Sequence, residues 1–201
     1  QPSLFLTSRS PLVKPGPILQ NLFTGRPVYR GRFDPTGQEL AVVSSVEGAA
    51  EIFLVKRQGS QPRRLTNHPA IDITPTFSPD GRQIAFVSDR SGSPQLYLMN
   101  RDGSNLQRLT FTGSYNAAPT WSPDGRWLSF TSFRTGVPVI YLRNPETGVE
   151  KEIVRAGDAK SPGGFSPDGD WLYYSVSAAG NSDIRRVRVV GGAAEKVAGG
   201  W

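Results

Sequence analysis

Cysteine is absent from this sequence, and histidine occurs once, at His68. Without a thiol there can be no disulfide, no cysteine nucleophile and no thiolate metal site. A single imidazole excludes a multi-histidine metal site and leaves a Ser-His-Asp triad only His68 to use. No run approaches the roughly 20 apolar residues that a membrane-crossing helix requires, and no basic segment followed by an apolar one opens the chain. No membrane insertion is expected, and the lack of cysteine leaves the redox compartment open. The sequence begins with Gln1 rather than methionine, as a processed mature chain or an excerpt of a longer one would. It also lacks a glycine fingerprint between a strand and a helix, a Walker-type phosphate loop and an EF-hand ligand series. Neither cofactor nor metal is expected, and no residue is singled out as catalytic.

What the chain has in excess is turn-forming residues: 22 glycines and 17 prolines among 201 residues, with aromatics at 10%. That mixture suits many short strands joined by tight turns. The formal charge of +6 raises the question of an acidic partner. Its 23 basic residues are interspersed with 17 acidic ones, and the densest groups are Arg63-Arg64 and Arg185, Arg186 and Arg188. A continuous stripe tracking phosphates would look different. The charges read as a solvated β surface, and nucleic acid is not expected as a partner.

The chain repeats itself. Phe33-Asp34-Pro35-Thr36-Gly37, Phe77-Ser78-Pro79-Asp80-Gly81, Trp121-Ser122-Pro123-Asp124-Gly125 and Phe165-Ser166-Pro167-Asp168-Gly169 place their prolines 44 residues apart. Apolar positions keep the same step: Leu40, Ile84, Leu128 and Leu172; Val42, Phe86, Phe130 and Tyr174; Ile52, Leu96, Ile140 and Ile184; Leu65, Leu109, Ile153 and Val197. A period near 40 to 45 with strand-like alternation marks a β-propeller, one four-stranded antiparallel blade per repeat. Four complete blades are expected at residues 30–73, 74–117, 118–161 and 162–201, preceded by a partial blade at 1–29. The innermost strand of that opening blade is missing, so the stretch reads as a single propeller domain or part of a larger one. Residues outside it or a second chain would complete the ring.

Within a blade the strands run A to D. The proline of Ser78-Pro79-Asp80-Gly81 presets the second position of a type I turn between strands A and B, and the glycine suits its exit. Asp80, Asp124 and Asp168 are then turn acceptors rather than catalytic carboxylates. Asp102-Gly103 marks the C-to-D hairpin. The connections from strand D to the next strand A vary while the strands repeat, and loops on a rigid scaffold are where binding usually resides. The expected protein-binding residues are Tyr29, Asn67, His68, Ile71, Asp72, Tyr115, Asn116, Ala117, Lys160 and Ser161.

Residues 120–130, Thr-Trp-Ser-Pro-Asp-Gly-Arg-Trp-Leu-Ser-Phe, preceded by Gln95-Leu96-Tyr97-Leu98-Met99-Asn100, resemble the PD40 (WD40-like) repeat. Arg64-Leu65-Thr66-Asn67-His68 and Arg108-Leu109-Thr110-Phe111-Thr112 are similar to the corresponding segments of the TolB family. That resemblance implies a six-bladed propeller in the periplasm, a non-enzymatic adaptor of the Tol-Pal envelope system. The lipoprotein Pal would be its partner, docked on the loops between strands D and A. The fourth unit departs from the pattern, with Gly163-Gly164 in place of Pro75-Thr76 and Pro119-Thr120, and Arg185-Arg186 in place of Tyr97-Leu98. PD40 blades also occur in substrate-gating domains of serine peptidases, in sensor ectodomains and in carbohydrate-active lyases. The gating domain is the principal alternative.

Overall fold

The computed structural model describes residues 28–199, apart from 47, 60, 155–158 and 179–180. The expected partial blade therefore lies outside the described residues, except for Val28 and Tyr29. The described residues form only strands, arranged as four antiparallel sheets of four. The first sheet is β1 (Val28–Phe33), β2 (Glu39–Val46), β3 (Ala49–Lys56) and β4 (Arg63–Arg64). The second is β5 (Asp72–Phe77), β6 (Gln83–Ser88), β7 (Gln95–Asn100) and β8 (Gln107–Arg108). The third is β9 (Asn116–Trp121), β10 (Leu128–Ser132), β11 (Val139–Arg143) and β12 (Glu150–Val154). The fourth is β13 (Ala159–Phe165), β14 (Trp171–Ala178), β15 (Asn181–Arg188) and β16 (Glu195–Gly199). In each sheet the spatial order follows the sequence, giving strands A to D.

Each A strand packs beside the next, β1 on β5, β5 on β9 and β9 on β13. Among the described residues no comparable packing joins β13 back to β1, so the sheets form an arc of an unclosed propeller. The apolar core lies in the seams between sheets. Ala41, Val43, Ile52 and Leu54 meet Phe77, Ile84, Phe86 and Tyr97 in the first seam. Ala85, Val87, Leu96 and Leu98 meet Trp121, Leu128, Phe130 and Tyr141 in the second. Ile140 and Leu142 meet Leu172, Tyr174 and Val187 in the third. In the first three sheets strands B and C are thus buried on both faces, which explains their near-continuous apolar runs.

The A-to-B turns close as their sequences require. In the second sheet the Gly81 N–H donates to Ser78 O at 2.8 Å, Ser78 Oγ donates to Asp80 Oδ1 at 2.5 Å, and Gly81 takes φ of +71°. Asp124 and Asp168 accept the same serine and backbone bonds, so all three aspartates are turn acceptors.

The A strands begin at Val28, Asp72, Asn116 and Ala159, two or three residues ahead of 30, 74, 118 and 162. A bulge explains the difference. Ile73 pairs with Val87 and Thr76 with Ala85, and Ala117 pairs with Thr131 and Thr120 with Ser129, so β5 and β9 each carry one extra residue, and β13 carries two. Pro75 and Pro119 sit inside those bulges, beside Thr74 and Ala118 at φ of +53° and +56°. Their missing N–H costs no ladder bond there. A proline that marks a strand boundary in sequence is here inside the strand.

Candidate functional site

The D-to-A and B-to-C connections emerge on one face of the arc, the loop face, and the A-to-B and C-to-D turns on the other. On the loop face the connections from β4 to β5 and from β8 to β9 are each tied to the strand C of their own sheet and to the next sheet. In the first joint Thr66 Oγ1 donates to Glu51 Oε2 and accepts the Ile52 N–H, while Glu51 Oε1 accepts Arg64 Nη2 and the His68 N–H, both at 2.9 Å. Ala70 N–H donates to His68 Nδ1 at 3.1 Å, and Ile71 N–H to Asp89 Oδ1 at 2.8 Å. The second joint repeats this 44 residues on with an amide in place of the acid. Gln95 Oε1 accepts Thr110 Oγ1 at 2.7 Å and Asn116 Nδ2 at 2.8 Å, and Gln95 Nε2 donates to Gly113 O at 2.9 Å. Asn116 Nδ2 also reaches Thr112 O at 3.0 Å, and the Phe133 N–H reaches Tyr115 O at 3.0 Å.

The effect is a loop, residues 110–115, whose backbone is fixed on three sides while its aromatic side chains point outward. Phe111 is 69% exposed, Tyr115 44% and Phe133 40%. Tyr115 meets Phe133 edge to face at 5.4 Å, and the Arg108 guanidinium lies 5.0 Å over the Phe111 ring. Val137 and Ile71 are exposed on neighbouring loops of the same face. Exposed apolar side chains gathered on rigid loops are the usual mark of a docking surface.

The expected binding residues are divided by the structure. Asn67, Ile71, Tyr115 and Tyr29 are exposed and His68 is half-buried. Tyr29 lies on β1, where its hydroxyl accepts Ser45 Oγ at 3.3 Å. Asp72 and Asn116 are fully buried on β5 and β9 and have no surface to offer a partner. Asn116 is part of the second joint, and Asp72 accepts Arg90 Nη2 at 2.8 Å. Burial pushes the Asp72 carboxyl above its usual value, against the pull of Ser88 and Arg90. Arg90 in turn lies 5.6 Å from the Phe86 ring centre and 5.1 Å from that of Tyr97. Ala117 is half-buried against the second seam. Lys160 and Ser161 stand on β13, not on a loop. Sequence reasoning missed Phe111, Phe133 and Val137. Their signal was there to use, because each is an apolar residue in a connecting segment where the strand alternation has stopped.

On the axis, the A strands leave an open cleft of about 270 Å³ lined by Arg32, Thr76, Phe77, Trp121, Gly163 and Phe165 among others. Among the described residues no group of three or more histidines or carboxylates is placed to hold a metal ion.

The family profile described as PD40, TolB beta propeller domain, matches residues 23–127. Among solved structures, TolB from Acinetobacter baumannii is 30% identical, with a TM-score of 0.72 over 80% of this chain and 40% of that one. A putative TolB from Agrobacterium tumefaciens is 28% identical, with a TM-score of 0.73 over 83% of this chain and 63% of that one. The chain therefore spans well under two thirds of the first and slightly under two thirds of the second. A prolyl endopeptidase structure reaches a TM-score of 0.65 at 17% identity, over 92% of this chain and 31% of that one, a likeness of fold alone. No curated protein sequence matches. With more than half of its length matched by the family profile, the chain belongs to the PD40 family of TolB beta propeller domains.

Proposed function

We propose that this chain is a non-enzymatic, protein-binding part of a TolB-like propeller, acting in the periplasm as an adaptor of a Tol-Pal type envelope complex. A Pal-like lipoprotein is its partner, and the partner docks on the loop face. The observation that carries this reading is the set of exposed aromatics Phe111, Tyr115 and Phe133 on a loop pair braced by Gln95, Thr110 and Asn116. A rigid loop loses little further entropy on binding, so exposed rings held in place convert efficiently into affinity. Asn67, His68, Ile71 and Tyr29 extend the same face toward the first sheet. The substrate-gating alternative rests on likeness of fold alone, and the residues of this chain add nothing to it.

The test is a calorimetric titration of the chain with the soluble domain of a Pal-like lipoprotein. Binding is expected, and replacing Phe111, Tyr115 and Phe133 together by alanine should weaken it on the order of 100-fold, as loss of a hot-spot cluster does. Equal affinity for the triple variant contradicts the choice of face, and absence of binding contradicts the choice of partner.

A further inference from the structure

The two joints of the loop face are built alike but are not balanced alike. In the first, Arg64 donates its Nε to Thr66 O at 2.8 Å and its Nη2 to the Glu51 carboxylate at 2.9 Å. In the second, Arg108 stands at the position of Arg64 and donates its Nε to Thr110 O at 2.6 Å. The residue at the position of Glu51 is now Gln95, and its Oε1 is taken by Thr110 and Asn116. Arg108 has therefore lost its carboxylate, and no described residue supplies another. Of the four loops around it, 65–71, 89–94, 109–115 and 133–138, only one residue is acidic, Asp89, and its Oδ1 already accepts the Ile71 N–H. The same step along the chain replaces Asn67 by Phe111, the most exposed ring of the face, on which the Arg108 guanidinium is stacked.

An arginine lying over an exposed ring, with its Nε spent on a carbonyl, has its terminal nitrogens left to donate. That arrangement suits a carboxylate carried beside an apolar side chain. We infer that Arg108 and Phe111 form a subsite for an acidic residue of the protein partner, flanked by an apolar residue seated against Phe111. The partner supplies in trans the charge that Glu51 supplies in cis to Arg64. This rests on the proposed docking role of the loop face and specifies its chemistry.

The experiment uses a display library of random dodecapeptides selected on the immobilised chain. Peptides bound by the wild type and not by the Phe111, Tyr115 and Phe133 triple alanine variant are recovered and synthesised. They are expected to pair Asp or Glu with an aliphatic or aromatic residue. Changing that acid to its amide should weaken binding to the wild type about tenfold, a single charge-assisted contact. Arg108→Gln should cause the same loss, and the acid and amide peptides should then bind alike. Gln95→Glu returns an acid to the position of Glu51, so it should also make the two peptides equivalent, while it gives up the Gln95 Nε2 bond to Gly113 O. Arg108→Lys should recover part of the acid preference. Recovered peptides without acids, or an acid preference that persists in both Arg108→Gln and Gln95→Glu, overturn the subsite and leave the docking face standing. If no peptide depends on the three aromatics, the docking reading itself fails. Binding of the wild type to vesicles of phosphatidylcholine with phosphatidylglycerol that is lost in Arg108→Gln, with no acidic peptide recovered, overturns the protein partner in favour of an anionic membrane.

Discussion

Asp34 differs in kind from its repeats, an aspartate where Ser78, Ser122 and Ser166 stand in the other units, as does Thr36 where they carry Asp80, Asp124 and Asp168. Its side chain is almost wholly buried and bonds across the first seam to Arg101 at 3.0 Å, which also reaches Glu39 at 2.7 Å and lies over Phe77. Burial alone would raise its carboxyl. The bonds from Thr36, the Glu39 N–H and Arg101, with the charge of Arg101, outweigh that and lower it from 3.8 to about 2. A depressed carboxylate contributes stability that is fully present above its unfolded value and is lost as pH falls through the folded one. The difference corresponds to about 2 kcal/mol. Urea unfolding should therefore show Asp34→Asn less stable than wild type by about 2 kcal/mol at pH 7 and nearly equal to it at pH 2. An unchanged gap at the two pH values would show that Asp34 acts through packing and not charge.

At the scale of the element, the loop before β9 depends on one close approach. Gly113 has φ of +82°, and a Cβ there would meet Arg134 Cβ at 2.7 Å and Cα at 2.9 Å. Gly113→Ala forces apart the two loops that present Tyr115 and Phe133, at a cost on the order of 2 kcal/mol or more from strain and overlap. Thermal unfolding should register that loss. Gly136→Ala, also at positive φ but with open space around it, should cost less, and equal losses would contradict the role given to the contact. The strands and turns were legible in the sequence because a 44-residue step carries each turn proline, and most seam residues through the first three sheets, onto a counterpart. The starts of the A strands were not legible, since Pro75 and Pro119 look like boundaries until a bulge is known to absorb them. Asp72 and Asn116 were read as loop residues for the same reason. Whether a polar side chain at the first position of a strand faces solvent or closes a joint depends on Arg90 and Gln95, which lie 18 and 21 residues away in sequence. Phe111 and Phe133 stand in the sequence as apolar residues of connecting segments, and their exposure is seen only once the loops are in place.

For the molecule as a whole, stability resides in the seams, as in other arrays whose units pack only on their neighbours. Leu98 fills the second seam and Leu142 the third, both essentially unexposed and in separate clusters. Leu98→Ala and Leu142→Ala should each destabilise by about 3 kcal/mol, and the double variant should lose the sum to within about 0.5 kcal/mol, since sites in separate clusters add. Strong coupling between them would mean that the sheets share a core. The fourth sheet ends this series differently. Arg186 occupies the position of Leu54, Leu98 and Leu142, stacked on Trp171 at 4.1 Å and paired with Glu195 at 2.8 Å, so the fourth sheet carries a charged side chain where the other three carry a buried leucine.

The most direct measurement is an amide chemical-shift titration of the isotopically labelled chain with the soluble domain of a Pal-like lipoprotein. Perturbations are expected at residues 65–71, 89–94, 109–115 and 133–138, strongest around Phe111 and Tyr115. Perturbations confined to the opposite turns, residues 34–38, 78–82, 122–126 and 166–170, would contradict the docking face.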